Sequence, residues 1–224
     1  MTRIHPTAII ERDVRIGAGT AIWDNTHIRF GATLGTDCMI GEKTYIAYDV
    51  RIGNRVKINA MVYVCNAVTI EDGVMISAGT IFTNDRFPRA TTPDLKRLRP
   101  SEPDEHTLPT LVRAGATIGA GCVIGNDLTI GRFAMIGMGS LVTKSIPDFH
   151  LAIGHPARSI GCVCRCGQML MRFAVNEDRQ ADRQADRQAD RRTEDEKVSA
   201  VSCASCGLPY EIRGQQVIEL NPPD

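Results

Sequence analysis

The chain has 224 residues, enough for one large domain or for one domain with a small appendage. Lys and Arg together number 26, as do Asp and Glu, so no net charge favours nucleic acid or an anionic membrane as a partner. The start of the chain lacks a basic segment followed by a long apolar run, and no apolar run reaches the ~18 residues of a membrane span. We therefore predict a soluble, cytoplasmic protein, in which the eight cysteines serve burial, metal binding or chemistry rather than disulfides.

A period of six residues runs through most of the first 142 positions. Every sixth residue from Ile4 to Ile76 is aliphatic, and a second run extends from Val112 to Val142. A small or branched residue follows four positions later, and a glycine often comes directly after the aliphatic, where we expect a turn free of a Cβ penalty. This period fits neither a helix nor a continuous strand, but it fits short strands joined by turns. Stacked coils would then bury one continuous aliphatic core, as in a solenoid.

The units "IGAGT", "IGEKT", "IGNRV", "IGAGC" and "IGRFA" resemble the hexapeptide repeat of the left-handed parallel β-helix acyltransferases. The resemblance implies an all-β fold, a left-handed parallel β-helix with three strands per coil. At eighteen residues per coil, the nineteen hexads predict about six coils. We assign residues 1–160 to this domain.

The repeat is interrupted at "SAGTIFTNDRFPRATTP" and resumes about thirty residues later. A solenoid accepts an insertion only at a turn, where the chain leaves and re-enters without unpairing strands, and long loops in compact domains are usually functional. We therefore predict that residues 83–110 form an excursion from one corner of the prism. The alternative is a surface loop without a role in function.

Five longer segments narrow the resemblance: "IWDNTHIRFGATLGTDCMIGEKTYI", "VRIGNRVKI", "IFTNDRFPRA", "PTLVRAGATIGAGCVIGNDLTIGRFAMIGMGSLVTKSIPD" and "LAIGHPARSIG". Together they resemble the N-acetyltransferases that acylate the 3-amino group of nucleotide-linked amino sugars. The resemblance implies acetyl-CoA as co-substrate, a nucleotide-linked amino sugar as acceptor, and a homotrimer with its sites between subunits. A UDP-linked 3-amino uronic acid is favoured over a dTDP-linked 3-amino-dideoxyhexose, with a role in polysaccharide biosynthesis. A sugar O-acetyltransferase of the same fold and a non-catalytic β-helix binding or assembly protein remain alternatives.

The start of the excursion carries the predicted catalytic residue. O-acetylating relatives place a histidine here because an alcohol must lose its proton, whereas residues 83–86 contain none. An amine can attack with its own lone pair, so the missing base favours an amine acceptor. By resemblance, the side-chain oxygen of Asn84 would accept a hydrogen bond from that amine and orient it. The alternative role of Asn84 is that of a residue that only shapes the turn.

Substrate and cofactor contacts are expected at five further residues. Asp85 either assists the substrate or turns the loop, and Arg89 would contact the nucleotide phosphates or a sugar carboxylate. His27 adjoins the inward Ile28 and should therefore point outward, into a groove between subunits. Lys144 and Arg158 lie in the segment that resembles the coenzyme A side of the family, where their charges suit phosphate oxygens.

Two cysteine-rich turns, "CVCRCG" and "CASCG", predict a structural zinc site of the ribbon type. The predicted ligands are Cys164, Cys166, Cys203 and Cys206, with Cys162 as an alternative to Cys164. The remaining cysteines, Cys38, Cys65 and Cys122, are explained by burial.

The last part of the chain, residues 161–224, is predicted as a small zinc-ribbon-like appendage. Within it, residues 177–197 repeat the unit DRQA and read as a low-complexity insert, either a solvated helix or a disordered linker.

Overall fold

A computed structural model describes residues 1–173 and 198–223 of the chain. The described residues form strands and turns without a helix, so none of them offers a helical segment able to cross a membrane. Most strands contain only two or three residues and belong to three parallel sheets that form the sides of a prism.

Sheet 1 contains ten strands: β1 (Arg3–Ile4), β4 (Ala21–Ile22), β7 (Met39–Ile40), β10 (Lys57–Ile58), β13 (Met75–Ile76), β16 (Thr117–Ile118), β19 (Met135–Ile136), β21 (His150–Gly154), β22 (Ala157–Val163) and β23 (Met169–Arg172). Sheet 2 contains seven: β2 (Ile9–Ile10), β5 (His27–Ile28), β8 (Tyr45–Ile46), β11 (Tyr63–Val64), β14 (Ile81–Phe82), β17 (Val123–Ile124) and β20 (Leu141–Val142). Sheet 3 contains six: β3 (Arg15–Ile16), β6 (Thr33–Leu34), β9 (Arg51–Ile52), β12 (Val68–Ile70), β15 (Thr110–Val112) and β18 (Leu128–Ile130). Sheet 4 is separate and antiparallel, with β24 (Val198–Ser202), β25 (Pro209–Arg213) and β26 (Gln216–Glu219).

The register of the parallel sheets follows the eighteen-residue coil that the resemblance implies. Ile4 pairs with Ile22, and Ile22 pairs with Ile40, so that each inward aliphatic stacks on the one in the coil below. These side chains are buried along nearly the whole prism. The small inward position is also buried, and at Thr20 its hydroxyl donates to the carbonyl of Gly35 at 2.8 Å. The predicted all-β solenoid is therefore confirmed.

The glycines after the aliphatics have a different cause from the one expected. A Cβ atom on Gly17 would lie 2.4 Å from the carbonyl carbon of Gly35 in the next coil. The turn residue that requires a positive φ comes two positions later in the turn, as at Asp37 with a φ of 56°. These glycines are therefore required by close stacking of coils, and the predicted conformational reason was wrong.

The prediction of about six coils was too low, because sheet 1 has eight parallel strands in its stack, from β1 to β21. The aliphatic count stopped at Ile76 and missed Phe82, which occupies the next inward position and is buried. It also missed Ile146, which bridges to Ile130 in parallel, and the inward Ala152 of β21. The spacing changes after Val142, so the period of six no longer marks these inward positions.

The excursion leaves the prism after β14 and returns at β15, in agreement with the predicted 83–110 to within its last residue. Its own backbone is tied by short antiparallel bridges, from Asp85 to Thr107 and from Thr91 to Leu98. The excursion is thus a folded loop that begins at a turn between sheets 2 and 3.

The end of the prism changes from parallel to antiparallel pairing. β21 pairs with β22 and β22 with β23, so this hairpin extends sheet 1. β22 runs across position 161, where we placed the start of the appendage. The predicted insert at 177–197 lies outside the described residues, and the division into two domains stays a prediction.

Candidate active site and metal centre

One corner of the prism carries a ladder of side chains in register. It follows the strands of sheet 2, and we call it the ladder corner: Arg12, Phe30, Tyr48, Asn66, Asn84, Asn126 and Lys144. Neighbouring rungs are one parallel strand spacing apart, about 4.8 Å. The ladder therefore places aromatic rings toward the first coils, amides in the middle, and a lysine toward the last coils.

Asn84 sits in this ladder where the excursion begins. Its Nδ2 donates to the carbonyl oxygen of Asn66 at 3.2 Å. Asn66 does the same one rung earlier, because its Nδ2 donates to the carbonyl oxygen of Tyr48 at 3.0 Å. This anchoring fixes the amide of Asn84, and within the described part of the chain its Oδ1 accepts no hydrogen bond. Asn84 thus combines the turn role, which it shares with Asn66, with a fixed acceptor beside the excursion.

Asp85 uses its carboxylate to fold the excursion. Its Oδ1 accepts the main-chain N–H of Phe87 at 2.8 Å, and its Oδ2 lies 3.3 Å from Nη1 of Arg99. Arg99 also donates to the Phe87 carbonyl at 2.7 Å and pairs with Asp104 at 3.0 Å. Of the two expected roles for Asp85, these contacts match loop folding. Arg99 was not predicted from the sequence, because no local motif distinguishes an arginine that pairs with two carboxylates inside a loop from one that is exposed to solvent.

Arg89 is exposed and donates only to the neighbouring carbonyl of Pro88 among the described residues, at 2.8 Å. It lines a cavity of about 570 Å³ inside the excursion, together with Phe87 and His106. The rings of Phe87 and His106 meet edge to face, 5.3 Å apart. Arg89 therefore has a free guanidinium beside a cavity, which suits an anionic ligand.

His27 points outward from sheet 2, as predicted, but it is already paired. Its Nε2 lies 2.8 Å from Oε1 of Glu11, and its ring meets Tyr45 edge to face at 5.4 Å. The pKa of Glu11 is lowered: desolvation opposes the shift, but the neighbouring Arg29 cation and hydrogen bonds from His27 and the Phe30 amide outweigh it. His27 lies three rungs from Asn84, about 14 Å along the prism, so it is distant from the proposed reacting amine.

Lys144 and Arg158 lie on different parts of the prism. Lys144 is exposed on the ladder corner, two rungs beyond Asn84, or about 10 Å. Arg158 belongs to β22 at the end of sheet 1, where it donates to the carbonyl of Ala157 at 3.1 Å. Only Lys144 therefore shares a surface with Asn84.

The four predicted metal ligands come together. The sulfur atoms of Cys164, Cys166, Cys203 and Cys206 all lie within 4.8 Å of one another. The Cys164–Cys206 and Cys166–Cys203 distances are 3.4 and 3.6 Å, close to the ~3.8 Å between sulfurs that share a tetrahedral zinc at 2.3 Å. The donor set therefore fits Zn²⁺ and leaves no position open for substrate.

Local electrostatics act in opposite directions on two thiols of this cluster. Main-chain amides of Cys206 and Ser205 lower the pKa of Cys203 to about 6. Burial raises the pKa of Cys164, whose sulfur lies 3.1 Å from the Tyr210 hydroxyl. Cys162 is fully buried elsewhere, in an apolar cluster with Phe173 and Ile212, and the alternative that it replaces Cys164 was wrong.

The cysteine cluster belongs to a cap on the end of the prism, which we define as β24–β26 with the turn at residues 164–167. The ring of Tyr210 packs against Phe149, 5.8 Å away, and Phe149 stacks on Phe133. Glu219 pairs with Arg165 and, at 3.6 Å, with Arg132. Sequence reasoning predicted the ligands but not this seating, because no local pattern links Tyr210 to Phe149.

A similar solved structure identifies the fold of this chain. The chain superposes on AntD, an N-acyltransferase from Bacillus cereus solved with dTDP and 3-hydroxybutyryl-CoA, with a TM-score of 0.51 and 23% sequence identity. The superposition covers 74% of this chain and 81% of AntD. The fold is therefore that of the β-helix acyltransferases.

Sequence similarity to curated proteins is local. Over 61 residues, 27% of the chain, it is 52% identical to the dTDP-3-amino-3,6-dideoxy-alpha-D-galactopyranose 3-N-acetyltransferase of Aneurinibacillus thermoaerophilus. Over 50 residues it is 44% identical to the serine acetyltransferase of Escherichia coli strain K12. The matched segments span 32% and 18% of these two relatives. No family model matches the sequence.

Proposed function

We propose that this chain is an acetyl-CoA-dependent N-acetyltransferase that acylates the 3-amino group of a nucleotide-linked sugar. The observation that carries the proposal is the amide of Asn84, anchored through Nδ2 with Oδ1 left open beside the excursion. The local identity to a 3-amino-sugar N-acetyltransferase and the fold shared with AntD support the same reaction class.

The reaction needs little acid–base help from the protein. The unprotonated amine attacks the thioester carbon, a C–N bond forms, and the carbonyl becomes an oxyanion. Collapse of this intermediate breaks the C–S bond, and coenzyme A leaves as a thiolate that takes up the proton lost by the amine. Asn84 Oδ1 would accept one N–H of the amine and thereby direct the lone pair at the carbonyl, a contribution of orientation.

Several finer points belong to the same proposal. Lys144 would contact the phosphates of the co-substrate, because it is a cation on the ladder corner only two rungs beyond Asn84. Arg158 would contact those phosphates only if the co-substrate reaches the end of sheet 1. Arg89 would contact an anionic group of the acceptor, with the protein acting as a trimer whose sites lie between subunits. The cysteine cluster would hold a structural zinc ion.

The acceptor is tested with a panel of UDP- and dTDP-linked 3-amino sugars, each incubated with acetyl-CoA. We expect thiol release and a product heavier by one acetyl group, stable to mild alkali as an amide is. An alkali-labile product would indicate O-acetylation instead. The sequence prediction favours a UDP-linked uronate, whereas the relative with 52% identity is named for a dTDP-linked dideoxyhexose. Activity with only one of the two sugar classes would decide between them.

A further inference from the structure

A second cavity lies where residues 101–103, in the returning arm of the excursion, lie over the ladder corner. Its volume is about 440 Å³, and its apolar lining comes from Phe30, Tyr48 and Pro103. The rings of Phe30 and Tyr48 are stacked, with centroids 5.2 Å apart and planes within 6°. They form an aromatic wall two rungs high on the prism, facing a proline from the excursion. Such a slot suits a flat heteroaromatic ring, which packs favourably against aromatic side chains.

The polar lining of this cavity supplies both donors and acceptors: Arg29, Asp49, Ser101 and Glu102. Glu102 lines the same cavity as Tyr48. Burial and then the charge of Glu102 raise the pKa of Tyr48. Arg29 Nη1 donates to the Tyr45 hydroxyl at 2.8 Å. Its Nε forms an ion pair with Glu11 Oε1 at 2.6 Å but is not aligned for a hydrogen bond. This buried N–H therefore has no hydrogen-bond acceptor among the described residues. The Nη2 group of Arg29 makes no hydrogen bond among the residues described.

This set of groups matches the edge of a pyrimidine dione. Uracil and thymine present an acceptor, a donor and an acceptor along their Watson–Crick edge, through O2, N3–H and O4. Arg29 and the Ser101 hydroxyl can donate, and the carboxylate of Glu102 or Asp49 can accept. Guanine presents one acceptor and two donors along this edge, so it would leave either Arg29 or the Ser101 hydroxyl without an acceptor.

The distance from this cavity to Asn84 fits the length of a nucleotide sugar. Phe30 lies three rungs from Asn84, or about 14 Å. A path of about thirteen bonds joins the base nitrogen of a nucleoside diphosphate sugar to its 3-amino group, and at the ~1.15 Å per bond of an extended chain it spans about 15 Å. One molecule can therefore touch both sites along the ladder corner.

Building on the N-acetyltransferase function proposed above, we propose that the cavity between Phe30, Tyr48 and residues 101–103 of the excursion binds the pyrimidine base of the nucleotide-linked sugar. The acceptor then lies along the ladder corner with its nucleotide toward the first coils and its amine at Asn84. The acetyl donor approaches from the Lys144 end. Glu102 and Ser101 make the excursion a specificity element that reads the base, in addition to covering the reacting groups.

The test measures binding of free nucleotides to the full-length protein by calorimetry, without sugar or acetyl-CoA. We expect UDP or dTDP to bind at least tenfold more tightly than GDP. Tyr48→Ala should weaken UDP or dTDP binding about tenfold, and Glu102→Ala, on the exposed loop, should weaken it several-fold without affecting the prism. Tyr63→Ala is the matched control, because Tyr63 stacks on Tyr45 in the same way, 5.2 Å apart with planes within 6°, and lies outside the cavity.

Binding and activity separate the two proposals. Normal nucleotide binding by both Tyr48→Ala and Glu102→Ala, in a protein that acetylates a 3-amino sugar, would overturn the base site and leave the enzyme function standing. Loss of binding in both variants, in a protein that acetylates no sugar of the panel, would support the base site and overturn the proposed function. In an active enzyme we also expect Tyr48→Ala to raise KM for the nucleotide sugar while KM for acetyl-CoA stays unchanged.

Discussion

The prism and its cap are stabilised in opposite ways. The prism repeats one packing solution in every coil, an inward aliphatic stacked on its equivalent eighteen residues away. The cap contains no repeated contact. It is held by the four-sulfur cluster, by Tyr210, by the hydrogen bond from His150, and by Glu219, which pairs with two arginines. A repeated core therefore tolerates the loss of one contact better than a small unit whose few contacts are each different. A 26-residue segment with one three-stranded sheet has little apolar area of its own, so metal binding would supply much of its folding free energy.

Loss of the four-sulfur site should destabilise the cap much more than the prism, and this is the largest effect that we predict. Cys203→Ser, or chelation of the wild-type protein, should reduce bound zinc from about one ion per chain to near zero and unfold the cap. The prism should keep its own unfolding transition. Metal analysis and limited proteolysis of residues 198–223 measure the two effects.

Cys162→Ala provides the control for the metal prediction, because Cys162 is buried beside the cap and outside the cluster. It should keep its zinc while losing some packing. If Cys203→Ser and Cys162→Ala lost equal amounts of zinc, or neither lost any, the four-sulfur site would be wrong.

The second prediction concerns Asn84, for which the repeat of the prism supplies a matched control residue. Asn84→Ala should lower kcat about 10–100-fold, or about 1.4–2.7 kcal/mol in activation free energy, with little change in KM, because it removes orientation of the amine. Asn66→Ala removes the same kind of amide anchor one rung earlier, away from the excursion. Steady-state kinetics and melting temperatures of the two variants should show similar small losses of stability and a loss of kcat only at Asn84. Equal kcat values in both variants would leave Asn84 with a turn role alone.

The smallest effect concerns His150, which connects the prism to the cap. Its Nε2 donates to the carbonyl of Gln215 and its Nδ1 accepts from the Ser159 hydroxyl, each at 2.8 Å, since the carbonyl can only accept. Burial lowers the pKa of His150, while the Gln215 carbonyl and Asp148 oppose the shift. The folded pKa of His150 is below the unfolded value of about 6.5. The contribution of neutral His150 to the free energy of unfolding is therefore complete above that value and is lost as pH falls through the folded pKa.

We therefore expect the melting temperature to decline by a few degrees between pH 7.5 and 5.5, and to decline less in His150→Gln, which cannot titrate. Thermal unfolding at several pH values measures this difference. Parallel curves for the two proteins would show that His150 is not responsible.

Some of the site was predictable and some was not, and the boundary follows the range of the interactions. Asn84 and the four cysteines could be proposed from the sequence because short motifs mark them, and their roles stay predictions. The aromatic wall of Phe30 and Tyr48 was missed because its two residues lie eighteen positions apart. They form a cavity only with residues 101–103 of the excursion, more than fifty positions later in the chain. Arg99 was missed for the same reason, since its partners within the excursion are set by loop folding.

The solenoid, the place where the excursion interrupts it and the four cysteines that lie together could all be read from the sequence. Each of these depends on local spacing, which a period of six or a pair of cysteine turns expresses directly. The number of coils, the ladder that aligns Phe30, Tyr48, Asn84 and Lys144, and the packing of the cap on Phe149 and His150 appear only in the folded chain. These features arise from contacts between coils and between distant segments, where stacking distance and burial, rather than neighbouring residues, select the partners.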